Sequence, residues 1–190
     1  MPVEYWFPTP IYVSVLAQSE QEICHEELDK VIKKYSNNLD NPWGDKVKTN
    51  FTYRNTTNIL LETEVTFNIF LQECKKFLHS LKLDSTIEIK ESWFNVSEEG
   101  DFQHFHIHND YDISGVYFFQ TNGDDGDLVF NHPSLVNRYH KLTAGFDDKI
   151  CYKPQVGKLV LFPSFLEHGV FHNTSKNKRI SIAFNAKVSS

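Results

Sequence analysis

From Glu64 to about Leu81, apolar side chains recur at Phe67, Phe70, Leu71, Cys74, Phe77, Leu78 and Leu81, the i, i+3, i+4, i+7 spacing of one buried helix face. The stripe predicts a helix whose apolar positions are core rather than a cofactor site. An earlier helix is predicted from Ser19, where Ser19 and Glu22 have capping-box spacing, with Ile23, Leu28, Val31, Ile32 and Tyr35 on its apolar face. Residues 3–16 read as extended and are punctuated by Pro8 and Pro10. Residues 37–58 read as polar loop around the turn signal Pro42-Trp43-Gly44, with room for one short strand.

After Ser85 the period changes from helical to two. Strands are predicted at 86–97, 102–108, 113–120, 127–131, 149–153, 157–163, 169–172 and 178–187, separated by turn signals such as Glu99-Gly100, Gly123-Asp124-Asp125-Gly126 and Pro154-Gln155-Val156-Gly157. Two helices followed by many short strands predict an α+β fold, a sandwich or jelly roll whose helices brace one sheet. The chain then forms one domain over 1–190, helical to about residue 85 and β-rich from about residue 86.

Composition changes this picture little. A 40% apolar content with 16 Phe is that of a globular chain with an aromatic-rich core. The net charge of −6 lacks the clustered cations of a general nucleic-acid binder, while leaving room for a modified base in a local pocket. Cys24, Cys74 and Cys151 are odd in number and widely spaced, which predicts free thiols in a reducing cytoplasm rather than disulfides or a zinc site. The sequons at Asn50, Asn55, Asn95 and Asn173 are therefore expected to carry no glycan. Met1-Pro2-Val3-Glu4 lacks a basic start, and no apolar run approaches the roughly 18 residues of a membrane span, so a cytoplasmic protein without a membrane partner is expected. Nothing in the sequence argues against a homodimer.

The chemistry concentrates in His104-Phe105-His106-Ile107-His108-Asn109-Asp110. On a strand, alternate side chains share a face, so this row aims imidazoles and a carboxylate at one place. Buried without partners, such a row would cost stability. Two His and one carboxylate hold iron while leaving positions open for a co-substrate and O₂. His108 and Asp110 supply an H-x-D pair, and His168, in the segment after the strand ending Leu161-Phe162-Pro163, is a candidate third ligand. His106 and His108 have the same spacing, so either Asp110 or His106 completes the set with His108 and His168. His104 is expected to be outside it.

Eleven residues after His168, Arg179, Ser181, Ala183 and Asn185 share one strand face, with Ile180, Ile182 and Phe184 on the other. Arg and Ser side by side inside a sandwich offer a charge-assisted grip on a carboxylate. His25, His79, His132, His140 and His172 are read as ordinary histidines. The loop 131–149, with Arg138, Tyr139, His140 and Lys141, is a candidate lid or recognition segment.

Taken together, Trp93-Phe94-Asn95, His106-Ile107-His108-Asn109-Asp110, Ser114-Gly115-Val116-Tyr117, Gly126-Asp127-Leu128-Val129-Phe130, Gly157 to His168 and Arg179-Ile180-Ser181-Ile182-Ala183-Phe184-Asn185 resemble the 2-oxoglutarate/Fe(II)-dependent dioxygenase superfamily. They are most similar to an oxygenase family of phages and marine bacteria, of the prolyl-hydroxylase type. With Phe7-Pro8-Thr9-Pro10 the resemblance spans nearly the whole chain.

It implies a double-stranded β-helix holding Fe(II), with Arg179 and Ser181 gripping the distal carboxylate of 2-oxoglutarate and Tyr117 and Asn95 as further contacts. In that family H-x-H is the more regular pair. The implied reaction oxidises 2-oxoglutarate to succinate and CO₂ and hydroxylates a C–H bond of a protein side chain or small molecule, in the host cytoplasm if the protein is phage-encoded. From the residues alone, a cupin-like three-histidine enzyme without 2-oxoglutarate and a non-catalytic jelly-roll binding protein are the alternatives.

Overall fold

The computed structural model describes residues 9–43, 46–52, 57–134 and 148–189. The elements run in the order β1 (Tyr12–Val15), α1 (Gln18–Tyr35), β2 (Lys48–Thr49), a 3-10 turn (Ile59–Glu62), α2 (Val65–Ser80), β3 (Thr86–Ser97), β4 (Gln103–His106), β5 (Ile113–Gln120), β6 (Leu128–Asn131), β7 (Lys149–Tyr152), β8 (Lys158–Pro163), β9 (His168–Val170) and β10 (Arg179–Ser189). Six strands form a major sheet in the order β1-β8-β5-β10-β3-β2, and four form a minor sheet in the order β4-β9-β6-β7. All of the strand pairs are antiparallel. Two facing antiparallel sheets with helices on one outer side make the expected α+β jelly roll.

The major sheet has two buried faces, and strand alternation keeps them chemically distinct. One face carries Phe94, Gly115, Tyr117, Phe119, Leu159, Leu161, Ile182 and Phe184, and packs with Leu28, Val31, Phe70, Cys74 and Phe77 of the helices. Phe70, Phe94 and Phe184 are fully buried, each worth about 1.5–3 kcal/mol relative to exposure. Gly115 is required here, because a Cβ would lie 2.3 Å from the Phe184 ring. The other face of the sheet meets the minor sheet, where Phe118, Val160 and Phe162 pack on Leu128, Phe130 and Leu166.

The helix termini differ from the sequence reading in an informative way. α1 begins at Gln18, and the Ser19/Glu22 pair does not cap it; instead the Glu20 carboxylate accepts the Ala17 N–H. Ile23 is 39% exposed, and Cys24 takes the buried position beside Leu28. α2 is capped from outside its own sequence. The Glu27 carboxylate of α1 accepts the backbone N–H groups of Glu64, Val65 and Thr66 together with the Thr66 hydroxyl. A carboxylate at a helix N-terminus satisfies orphan donors and complements the dipole. β4 is shorter than predicted, ending at His106, and β10 runs on to Ser189. Among the described residues, no helix is long and apolar enough to cross a membrane.

Burial pushes the Glu27 carboxyl up, but the hydrogen bonds from Thr66, Val65 and Glu64 outweigh it and hold the group below its ordinary value of 4.5. A depressed carboxyl stabilises the fold above its unfolded value, and the contribution is lost as pH falls through the folded one. Glu27→Gln is therefore expected to lower stability by about 1 kcal/mol at pH 7. The difference from the native chain shrinks as pH falls through the folded value, as read from urea midpoints measured at a series of acidic pH values.

Candidate functional site

β4 and β9 pair so that His106 lies directly opposite His168, with Phe130 of β6 next in the same row. Directly opposed residues share a face, which aims both imidazoles at the interior between the sheets. His108 lies two residues past the end of β4. Its backbone N–H donates to the Ser164 carbonyl at 2.9 Å, which keeps the chain against the end of β8 and turns the ring inward. One ring nitrogen from each of His106, His108 and His168 falls within 4.8 Å of the others.

The remaining ring nitrogens indicate how the three would present themselves to a metal. His106 Nδ1 faces the His104 carbonyl at 2.8 Å and His168 Nδ1 faces the Leu166 carbonyl at 2.9 Å. A carbonyl can only accept, so each Nδ1 carries the proton and each Nε2 keeps its lone pair. A carbonyl holding the outer nitrogen is also the usual support of a metal-bound imidazole. Burial, and then the proximity of His106, pushes His108 down to about 4. Burial, with His106 and His108 nearby, puts His168 far below the ordinary value as well. Imidazoles kept neutral in this way are in the form that binds a cation.

Asp110 is not part of this group. The strand ends at His106, residues 109 and 110 form an exposed turn, and the period-two expectation does not extend past the strand that creates it. His104 is exposed, with its ring edge-on to Phe102 at 4.8 Å. Arg138, Tyr139, His140 and Lys141 lie outside the described residues, as do Phe7, Pro8, Gly44 and Asn55.

On the major sheet, Glu91, Trp93, Asn95 and Ser97 of β3 pair with Asn185, Ala183, Ser181 and Arg179 of β10, all facing the interior. A narrow space beside the three histidines is lined by Asn95, Ser181, Ser114, Val116 and Phe162. Its free volume is about 30 Å³, so an occupant larger than a water or two needs side chains to turn. Arg179 is 3% exposed, and its Nη1 donates to the Asp125 and Gly126 carbonyls. Among the described residues no carboxylate lies within ion-pair distance of it; burial pushes the guanidinium down to about 10, and the nearby Asp125 and Asp101 charges offset part of that fall. Gly126 makes room for it. The residue has φ +99°, and a Cβ there would lie 2.2 Å from the Phe171 carbonyl and 3.2 Å from the guanidinium.

Among the described residues, five buried polar atoms have no partner: Trp93 Nε1, Asn95 Oδ1, Ser97 Oγ, Tyr117 Oη and Arg179 Nε. Four of them belong to residues on the interior face. Orphaned buried groups are costly and uncommon, and those of Trp93 and Asn95 belong to residues that line the space beside the histidines, which fits a polar occupant there. Tyr117 is the exception. Alternation along β5 turns it to the helix side, against Phe70 at 5.1 Å, and burial raises its hydroxyl well above the ordinary value. The expectation that it faces the same ligand as Asn95 and Ser181 does not match that placement.

Three features escaped the sequence reading. Ser114 bridges Ser164 and Asn185, and Asn185 in turn donates to Glu91, forming a polar row beside His108. Trp43 and Phe51 approach Trp93 from the 37–58 segment. A cavity of about 260 Å³ opens there, lined by these three rings with Glu91, His106 and His108. The alternation of β3 could have placed Glu91 and Trp93 at the site, whereas nothing local pointed to Trp43.

A family profile described as "Putative 2OG-Fe(II) oxygenase" matches residues 91–185, half of the chain and the part that carries the histidines and Arg179. No curated protein matches the sequence. Among solved structures, the chain is similar to HygX from Streptomyces hygroscopicus with nickel, 2-oxoglutarate and hygromycin B bound, with a TM-score of 0.60 and 12% identity over 94% of this chain and 83% of that one. It is similar to a prolyl-4-hydroxylase from Pseudomonas putida, with a TM-score of 0.59 and 15% identity over 94% and 93%. A prolyl hydroxylase from Trichoplax adhaerens, in complex with a hypoxia inducible factor peptide, gives a TM-score of 0.64 and 13% identity over 93% and 83%. At such identities these structures speak for the fold, and the family rests on the profile match. The chain belongs to this family of 2OG-Fe(II) oxygenases and is an Fe(II)- and 2-oxoglutarate-dependent dioxygenase.

Proposed function

We propose that His106, His108 and His168 hold the Fe(II) through Nε2, and that Arg179 and Ser181, with Asn95 beside them, receive the distal carboxylate of 2-oxoglutarate. The observation that carries this reading is the pairing of three inward-turned imidazoles, two of them held neutral by burial, with a buried guanidinium that has no direct ion pair among the described residues on the same interior. Imidazole suits Fe(II), and three such ligands leave the rest of its coordination sphere to the co-substrate. The absence of Asp110 from the cluster favours the three-histidine set over His-Asp-His. Without a protein carboxylate at the metal, the charge of the bound keto acid does more of the neutralisation.

With both bound, the chemistry supplied is that of the family: substrate C–H, 2-oxoglutarate and O₂ become C–OH, succinate and CO₂. The protein's part is positional. His104 and Leu166 carbonyls orient two ligands, and Arg179 sits two residues along β10 from Ser181 on the same face. Entry of the co-substrate requires the guanidinium or its neighbours to turn, because the free space is small. The apolar lining from buried Phe162 and half-buried Val116 then keeps water from the reacting end. The substrate is a small molecule or a protein side chain reaching the metal from the larger cavity.

Protein incubated with Fe(II), 2-oxoglutarate and O₂ is expected to release succinate, and its absence would defeat the reading. Loss of Mn(II) binding in His106→Ala, His108→Ala and His168→Ala, with retention in Asp110→Ala, is expected by electron paramagnetic resonance. Arg179→Met is expected to weaken 2-oxoglutarate binding by about 2–4 kcal/mol, roughly 30- to 1000-fold, with metal affinity unchanged. In the metal-free protein at pH 7, nitrogen-15 spectra should show His106 and His168 as Nδ1–H tautomers. Nε2–H signals would count against the ligand assignment.

A further inference from the structure

The 260 Å³ cavity adjoins the three histidines and shares Trp93, Gln103, His106 and His108 with the space beside Ser181. Its wall is a connected run of aromatic rings. Trp43 stacks on Phe51 with centroids 5.5 Å apart, Phe51 meets Trp93 edge-on at 5.1 Å, and Trp93 lies 6.1 Å from His108. Among the described residues that line it, Glu91 is the acidic group and none is Lys or Arg.

Glu91 is half-buried, and neutral groups hold it. Asn185 Nδ2 donates to its Oε1 at 2.6 Å, and the Tyr111 hydroxyl hydrogen-bonds to the carboxylate. Among the described residues no cation pairs with it. A partly desolvated carboxylate without a counter-charge repels anions and attracts cations. Aromatic faces do the same through their quadrupoles.

We propose that this cavity selects a substrate bearing an ammonium or guanidinium group, placing the cation against Trp43, Phe51 and Trp93 with Glu91 as counter-charge. The proposal rests on the metal and co-substrate reading above, since it assigns this cavity to the substrate of that centre. The two faces of the site then divide by charge. The interior side, with Arg179, takes the dicarboxylate, and the outer side, with Glu91, takes the cation. Opposite charges on the two sides keep each ligand out of the other's place.

The test uses choline and its neutral isostere 3,3-dimethylbutan-1-ol as probes, with binding read from the quenching of indole fluorescence and from saturation-transfer NMR. Full-length protein is titrated both metal-free and loaded with Mn(II) and 2-oxoglutarate, so that no turnover is needed. Choline is expected to bind about tenfold more tightly than the isostere, the size of one desolvated cation–ring contact. Glu91→Gln should abolish that preference without altering isostere binding, and Trp43→Leu should weaken choline several-fold. Equal affinities in the native protein, or no binding of either probe, would overturn the proposal whether or not the variants fold. Mn(II) and 2-oxoglutarate affinities measured on the same samples separate the two readings. Charge selectivity without metal binding would overturn the iron site alone, and metal binding without charge selectivity would overturn the cation proposal alone.

Discussion

β10 pairs along its length with β3 on one side and β5 on the other, and the rest of the molecule depends on that register. A one-residue slip would exchange the two faces of the strand. Ile182 and Phe184 would then face the polar interior, while Arg179 and Ser181 would be pressed into the apolar layer beneath the helices. Irregularities interrupt the pairing at Asn185/Ala186 against β3 and at Ile180/Ser181 against β5. The first skips Lys90, so that this lysine reaches solvent while Ala186 and Ile89 remain buried on the helix side. Such bulges let a long strand twist without surrendering the side-chain pattern on either side of them.

That arrangement explains why the interior can hold groups that a core would ordinarily reject. Three clustered imidazoles, a buried guanidinium held by backbone carbonyls and several orphaned polar atoms line the interior between the sheets. Their cost is met by the aromatic layer on the opposite face, where Phe70, Phe94, Phe184 and Tyr117 pack with almost no exposure. The candidate site therefore stands on a framework whose stability comes from elsewhere. Capping of α2 by Glu27 belongs to the same framework, because it ties the two helices that cover the sheet.

The two cavities differ in what builds them. Paired strands supply the histidines, Ser181, Asn95 and Arg179, so their relative positions follow from the sheet registers. The outer cavity takes Trp43 and Phe51 from outside the strands that carry the histidines, packed on Trp93. Within a family of shared chemistry, walls of that kind can change while the strands that carry the reaction stay in place.

The sequence by itself determined the order and type of most elements, the two faces of β10, and the membership of His106, His108 and His168 among the candidates. These follow from periodicity, which is a local property of each strand or helix. It could not decide between His106 and Asp110, because that depends on where β4 stops. The end of β4 is set by its pairing with β9 and by the His108 N–H binding Ser164 across the fold. It could not turn Tyr117 toward the helices either, since alternation separates two faces without saying which one meets the histidine cluster. The Trp43–Phe51–Trp93 wall and the uncompensated charge of Glu91 were equally out of reach. They join residues from distant parts of the chain, and only tertiary packing brings those together.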